Sequence, residues 1–87
     1  MPVLHATVIG NVQGVGYRWY VRGRAVRYGL TGSAVNRPDG SVEVVAEGPK
    51  DALAGFLASL SVGPGRVDHV EHLVSDGTLG RDEFTIK

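Results

Sequence analysis

The sequence contains no cysteine, and this absence removes several classes of protein from consideration. Disulfide-stapled scaffolds, iron–sulfur ferredoxins, thiol enzymes and zinc sites built on cysteine are all excluded. No apolar run approaches the roughly 18 residues of a membrane span. The first residues, MPVLHATVIG, also lack the charged and then apolar pattern of a secretory signal. We therefore expect a soluble, cytoplasmic protein with no membrane partner.

Acidic residues are missing from the first part of the chain. Residues 1–38 contain five arginines and no aspartate or glutamate, which gives +5, whereas residues 39–87 hold nine acids and four bases, which gives −5. The 87-residue chain is therefore neutral as a whole. A basic region inside a neutral protein favours a local anion site over a broad nucleic-acid footprint. Chance segregation of surface charge is the alternative explanation.

Hydrophobic periodicity predicts a single domain at residues 1–87 with seven elements. Alternating patterns, helical stripes and glycine or proline breaks place strands at 3–10, 30–37, 41–47, 66–75 and 83–87, and helices at 17–28 and 49–60. Two helices that each carry one apolar stripe must share one face of a sheet. The order predicts an α+β, ferredoxin-like βαββαβ two-layer sandwich with an antiparallel sheet and a short C-terminal strand.

A glycine-rich loop, GNVQGVG at residues 10–16, separates the first strand from the first helix. Such a turn exposes several backbone N–H groups, and the N-terminus of the helix adds a partial positive charge. Arg18, in the first helical turn, adds a planar cation that can grip two oxygens at once. These features predict a phosphate-type anion site, and a merely structural tight turn is the alternative. The spacing is not that of a nucleotide-binding P-loop.

Residues 10–18, GNVQGVGYR, resemble the first signature of the acylphosphatase family, Gly-x-Val-Gln-Gly-Val-x-aromatic-Arg. Residues 32–42, GSAVNRPDGSV, followed by Gly48, resemble the second signature, which has an asparagine where this chain has Asn36. The resemblance extends over essentially the whole chain. Two residues depart from it: Ser33 replaces an aromatic residue, and Val35 replaces Lys, Arg or Gln. We expect the loss of the aromatic ring to loosen packing near the site or to widen it for bulkier acyl groups.

The resemblance implies hydrolysis of acyl phosphates to a carboxylate and inorganic phosphate, with no metal and no cofactor. It implies that Asn36 orients the attacking water and that the guanidinium of Arg18 holds the phosphoryl group. The same group would be held by the backbone amides of Gln13, Gly14, Val15, Gly16, Tyr17 and Arg18. From position alone, Asn36 would be a residue flanking a hairpin, and the side chain of Gln13 is expected to shape the loop rather than react.

Other functions share this topology and remain as alternatives. RNA-recognition domains read bases with aromatic residues on two central strands, and the corresponding segments here contain none. A small-molecule regulatory domain would not need Arg18 together with Asn36, and acylphosphatase-like accessory domains belong to longer chains. His69 and His72 are expected to point to opposite faces of a strand, so we predict no metal site there. The expected partner is a small-molecule acyl phosphate, not nucleic acid, and a monomer is expected.

Overall fold

The computed structural model describes all residues from 1 to 87. Its seven elements are, in chain order, β1 (Pro2–Asn11), α1 (Tyr17–Arg27), β2 (Thr31–Asn36), β3 (Val42–Glu47), α2 (Lys50–Leu60), β4 (Arg66–Asp76) and β5 (Phe84–Ile86). The predicted order is confirmed, and each boundary agrees to within a residue. Pro49 lies at the N-cap of α2, immediately before the first turn, and not within that turn as expected. Neither helix is long and apolar enough to cross a membrane.

The sheet has five strands in the order β4-β1-β3-β2-β5. Its first four strands are antiparallel, as predicted, but β5 runs parallel to β2, so the sheet is mixed. The sequence left open the direction of the short C-terminal strand, which the chain reaches by crossing the sheet after β4. The backbone N–H of Leu79 donates to Glu47 of β3 at 3.0 Å, and the N–H of Gly32 in β2 donates to the oxygen of Glu83 at 3.1 Å. The crossing reverses the chain and delivers β5 beside β2 in the same direction.

Both helices pack on one face of the sheet, where they form the hydrophobic core. The apolar stripes predicted from the sequence are buried: Tyr17, Val21 and Ala25 of α1, and Leu53, Phe56 and Leu60 of α2. The sheet contributes alternate residues of its central strands, namely Leu4, Ala6 and Val8 of β1 and Val42, Val44 and Ala46 of β3. Full burial of a large apolar side chain stabilises the fold by about 1.5–3 kcal/mol. This shared core fixes α1 against the sheet.

The direction of the strands gathers three segments at one end of the sheet. β1 and β2 are both antiparallel to β3, and β5 is parallel to β2, so these three strands run the same way. Their carboxyl ends therefore lie at the same end of the sheet. The glycine-rich loop leaves β1 there, Asn36 ends β2 there, and Lys87 follows β5 there.

Candidate active site

The loop between β1 and α1 turns through two glycines in the left-handed region. Gly14 has a φ of 74° and Gly16, the N-cap of α1, has a φ of 81°. A Cβ atom at either position would meet no atom within 4 Å, so the backbone conformation, and not crowding, requires glycine here. Val12 is buried in the core and anchors the loop at its other end.

The backbone N–H groups of this loop and of the first helical turn are free of protein acceptors. No side chain caps α1, and no acidic residue lies in its first turn. The first backbone N–H of this region that donates to another backbone group is that of Tyr20, which bonds to Gly16 at 3.1 Å. The amides of residues 13–18 are thus available to a ligand at the positive end of the helix, an arrangement suited to an oxyanion.

The Gln13 side chain ties the loop to the hairpin formed by β2 and β3. Its Nε2 atom donates to the backbone oxygens of Arg37 at 2.7 Å and of Ser41 at 2.9 Å. Ser41 also donates to the carboxylate of Asp39 through both its hydroxyl and its N–H, and these bonds hold the pKa of Asp39 below its usual value. The side chain of Gln13 is therefore occupied with structural bonds, which leaves its backbone N–H for a ligand.

The Tyr17 side chain lies in the core and not in the site. Its hydroxyl donates to the backbone oxygen of Leu60 in α2 at 2.6 Å. Burial, with a smaller contribution from the neighbouring Tyr20, raises the pKa of the Tyr17 phenol well above its ordinary value. Only the backbone of Tyr17 faces the loop.

Arg18 and Asn36 meet at the backbone oxygen of Lys87. The Nη1 atom of Arg18 donates to this oxygen at 2.6 Å, and the backbone N–H of Asn36 donates to it at 3.3 Å. The Oδ1 atom of Asn36 is buried and has no hydrogen-bond partner within the chain. A buried acceptor without a donor is costly unless a ligand or water satisfies it, so this atom marks a place for a hydrogen-bond donor.

The helix that begins at this corner is basic. Helix α1 carries Arg18, Arg22, Arg24 and Arg27 and contains no acidic residue. Nowhere in the molecule do three or more histidine, aspartate or glutamate side chains come close enough to hold a metal ion. The three surface cavities lie away from residues 13–18 and from Asn36. The site is thus an open surface where Arg18 and the N-terminus of a basic helix favour an anionic group.

Comparison with known proteins gives a consistent result. The family model described as Acylphosphatase matches residues 4–86. The acylphosphatase of Thermus thermophilus is 58% identical over 73 residues, which cover 82% of this chain and 83% of the relative. That of Thermobifida fusca is 52% identical over 84 residues, which cover 94% of this chain and 89% of the relative. The chain belongs to the acylphosphatase family.

The fold is also that of a solved acylphosphatase. The crystal structure of the acylphosphatase from Bacillus subtilis is 36% identical in sequence and superposes with a TM-score of 0.97, covering 100% of this chain and 99% of that one. The chain is therefore an enzyme of the acylphosphatase family with that family's architecture. The two motifs that resembled the family signatures lie in the loop before α1 and in the hairpin of β2 and β3.

The strand pairing shows which face of the sheet Ser33 occupies. Ala34 and Asn36 pair with Val44 and Val42, which face the helices, whereas Ser33 pairs with Val45. Since side chains alternate along a strand, Ser33 faces the other side of the sheet, and so does Val35. Ser33 is only 6% exposed there. Ser33 therefore lies on the face of the sheet opposite to Asn36, and the effect of the missing aromatic ring on the acylphosphatase site stays a prediction.

Nothing in the sequence indicated the part played by Lys87. The strand around Phe84 was predicted, but nothing in the pattern indicated which strand it joins. Its parallel pairing with β2, in which Ala34 lies opposite Ile86, places Lys87 beside Asn36. The N–H of Lys87 also donates to the oxygen of Ala34 at 3.0 Å. This pairing supplies the oxygen to which both Arg18 and Asn36 donate.

Proposed function

We propose that this acylphosphatase cleaves the carboxyl–phosphate anhydride bond of acyl phosphates without a metal ion, with Arg18 and Asn36 as its catalytic residues. The observation that carries the proposal is the buried, unpartnered Oδ1 atom of Asn36, a residue whose backbone N–H donates to the same oxygen as Arg18. An unsatisfied acceptor on this residue suits a water molecule held against a phosphoryl group that Arg18 and the free amides bind.

The phosphoryl group binds at the N-terminus of α1. The free backbone amides of residues 13–18 surround its oxygens, and the guanidinium of Arg18 turns from Lys87 to grip two of them. Phosphoryl transfer demands mostly positioning and stabilisation of charge, with little covalent work for the protein. Several aligned N–H dipoles and the guanidinium of Arg18 supply that stabilisation.

The water attacks phosphorus while it donates one hydrogen bond to Oδ1 of Asn36. The bond from phosphorus to the bridging oxygen breaks, and the carboxylate leaves with the electron pair. The proton of the water passes to a phosphate oxygen, so the products are a carboxylate and inorganic phosphate. Because the carboxylate is a good leaving group, the step needs no general acid, and a neutral amide is sufficient to orient the nucleophile.

Hydrolysis of benzoyl phosphate in the presence of EDTA tests this function. We expect the wild-type chain to turn over the substrate in EDTA and Arg18→Ala to lose activity while it keeps its circular dichroism spectrum. Arg22→Ala, which removes a cation from the same helix, is the matched control and should retain most activity. No turnover by the folded wild type would contradict the proposed function.

Hydrolysis of benzoyl phosphate in oxygen-18 water shows which bond breaks. Attack at phosphorus places the label in inorganic phosphate, whereas attack at the carbonyl carbon would place it in benzoate. Label in benzoate would contradict the proposed roles of Arg18 and Asn36, even if the substrate is hydrolysed.

A further inference from the structure

Helix α1 presents a tryptophan to solvent at the end where the phosphoryl group binds. Trp19 is the only tryptophan of the chain and is 65% exposed, although Tyr17, two residues earlier, is buried in the core. Successive residues of an α-helix are turned by about 100°, so Trp19 lies about 200° round α1 from Tyr17. The indole ring therefore lies on the side of the helix that faces away from the sheet.

The other aromatic residues in and after α1 are engaged with protein groups. The hydroxyls of Tyr17 and Tyr20 donate to backbone oxygens of α2 at 2.6 Å and 2.7 Å. The guanidinium of Arg24 lies over the ring of Tyr28, 5.6 Å from its centroid. Trp19 stacks against no aromatic ring and no cation of the chain, so its ring is free to contact a ligand.

Val15 is a second exposed apolar side chain at the same end of α1. It lies within the loop of free amides and is 39% exposed. Its Cγ2 atom lies close to the loop after α2, since a Cβ atom added to Gly65 would come within 2.8 Å of it. Side chains of a helix lean toward its N-terminus, so the ring of Trp19 leans toward the loop that contains Val15. The phosphoryl site thus has an apolar rim on its outer side.

The proposed reaction sends the acyl group toward this rim. The attacking and leaving oxygens of a phosphoryl transfer lie roughly in line, on opposite sides of phosphorus. Asn36 lies in β2 on the face of the sheet that carries the helices, so the water that it holds attacks from the side of the sheet. The carboxylate then leaves on the side away from the sheet, which is the side where Trp19 lies.

We propose that the acyl group of the substrate packs against the ring of Trp19 and the side chain of Val15, and that this contact favours aromatic over small acyl groups. The inference rests on the proposed function, because the position of the acyl group follows from the water held by Asn36. A benzoyl ring can pair with the indole ring edge-to-face or offset, whereas the methyl group of acetyl phosphate offers little surface. Because the indole ring is open to solvent, it adds affinity without excluding larger acyl groups.

The kinetics of Trp19→Ala with two substrates measure this contact. The ratio of kcat/KM for benzoyl phosphate to kcat/KM for acetyl phosphate should fall about three- to tenfold. The loss for benzoyl phosphate should lie mainly in KM. Trp19→Phe keeps an aromatic ring and should recover most of the ratio, and Val15→Ala should lower it by a smaller factor. Val26→Ala is the control, because Val26 is 57% exposed in the last turn of α1, away from the loop, and it should keep the wild-type ratio.

The fluorescence of the single tryptophan reports binding without turnover. Phenacylphosphonate carries the same phenyl ketone as benzoyl phosphate, but a methylene group replaces the bridging oxygen, so it is not hydrolysed there. It should change the emission of Trp19 in a saturable manner, and inorganic phosphate should reverse the change by competition. The control variant combines Trp19→Phe with Val26→Trp, which moves the tryptophan about two turns along α1. The same titration of that variant should give little change.

Two results would overturn this inference while leaving the proposed function intact. One is hydrolysis of both substrates by Trp19→Ala with the wild-type ratio. The other is an emission change that is absent from the wild type, or equally large when the tryptophan is at position 26. No hydrolysis of either substrate by the folded wild type would instead overturn the proposed function and this inference together. Since Trp19 is exposed, urea unfolding of Trp19→Ala should match that of the wild type, which separates loss of the contact from loss of the fold.

Discussion

Arg18 and Asn36, 18 residues apart in the sequence, donate to the same oxygen atom. The guanidinium of Arg18 lies 2.6 Å from the backbone oxygen of Lys87, and the backbone nitrogen of Asn36 lies 3.3 Å from it. One residue comes from the first turn of α1 and the other from the last position of β2. Their shared acceptor holds the two proposed catalytic groups at one corner of the molecule, and each can be tested separately.

Replacing Arg18 with lysine should almost abolish activity. An ammonium keeps the charge but cannot place two parallel N–H donors on a phosphoryl group, and the loss of such a contact typically lowers kcat about 10²- to 10³-fold. Steady-state hydrolysis of benzoyl phosphate by Arg18→Lys and by the control Arg22→Lys measures the effect. Near-full activity of Arg18→Lys would exclude the proposed role of Arg18 in binding two phosphoryl oxygens at once.

Replacing Asn36 with alanine should lower turnover far more than phosphate binding. The proposed role is to position water, so we expect kcat to fall about 10²-fold or more, with less than about a threefold change in inhibition by inorganic phosphate. Ser33→Ala lies in the same strand but on the opposite face and should leave both quantities nearly unchanged. If turnover and phosphate affinity fell together in Asn36→Ala, Asn36 would be a binding or structural residue.

Replacing Gly23 with alanine should stabilise the fold. Gly23 lies in the middle of α1, its φ is not in the left-handed region, and an added Cβ would meet no atom within 4 Å. Removing a helical glycine should therefore gain about 0.5–1 kcal/mol in the free energy of unfolding. Gly29→Ala is the contrasting variant: its surroundings are equally open, but its φ is 70°. Urea titrations should show stabilisation at Gly23 and destabilisation at Gly29.

Replacing Tyr17 with phenylalanine should remove a source of alkaline instability. The raised pKa of Tyr17 means that the folded chain holds the phenolic proton more tightly than the unfolded chain, whose pKa is 10.0. The contribution of Tyr17 to the free energy of unfolding is therefore fully present below about pH 10. Above pH 10, the free energy of unfolding falls by about 1.4 kcal/mol per pH unit. Tyr17→Phe leaves the oxygen of Leu60 without its donor and should cost about 1–3 kcal/mol at neutral pH.

Urea unfolding at pH 8 and at pH 11 checks this prediction. The difference in stability between the two pH values should be smaller in Tyr17→Phe than in the wild type. Tyr28→Phe is the control, because the Tyr28 hydroxyl makes no hydrogen bond within the chain. An unchanged difference in Tyr17→Phe would assign the alkaline loss to other groups.

Hydrophobic periodicity predicted most of the fold because it depends only on which face of a single helix or strand is buried. Alternation along β1 and the helical stripe of Phe56 and Leu60 are properties of one element and its buried face, and the structure confirms both. The edge strand β4 is different. Alternation predicts Val67 and Val70 on opposite faces, yet both pack against the core. The bulge at Asp68 shifts the register there, beside Gly10, where an added Cβ would meet the backbone of Arg66 and Asp68.

The sequence also located the residues of the candidate site, since the glycine-rich loop, Arg18 and Asn36 all lie within recognisable motifs. It could not give their surroundings. The motif places Ser33 three residues before Asn36, but only the strand pairing shows that the two side chains lie on opposite faces of the sheet. The hydrogen bonds of Gln13 to the hairpin likewise depend on segments far apart in the chain.

By itself, the sequence determined the elements, the two-layer architecture, the family and the loop of free amides, because these depend on neighbours along the chain. The tertiary structure alone decided that β5 joins β2 in parallel, that Lys87 lies between Arg18 and Asn36, and that β4 is an open edge. Which strands pair depends on contacts between segments that are distant in the sequence, because several strands could pair with the same neighbour. Hydrophobic periodicity records which face of a strand is buried, but not which strand lies beside it.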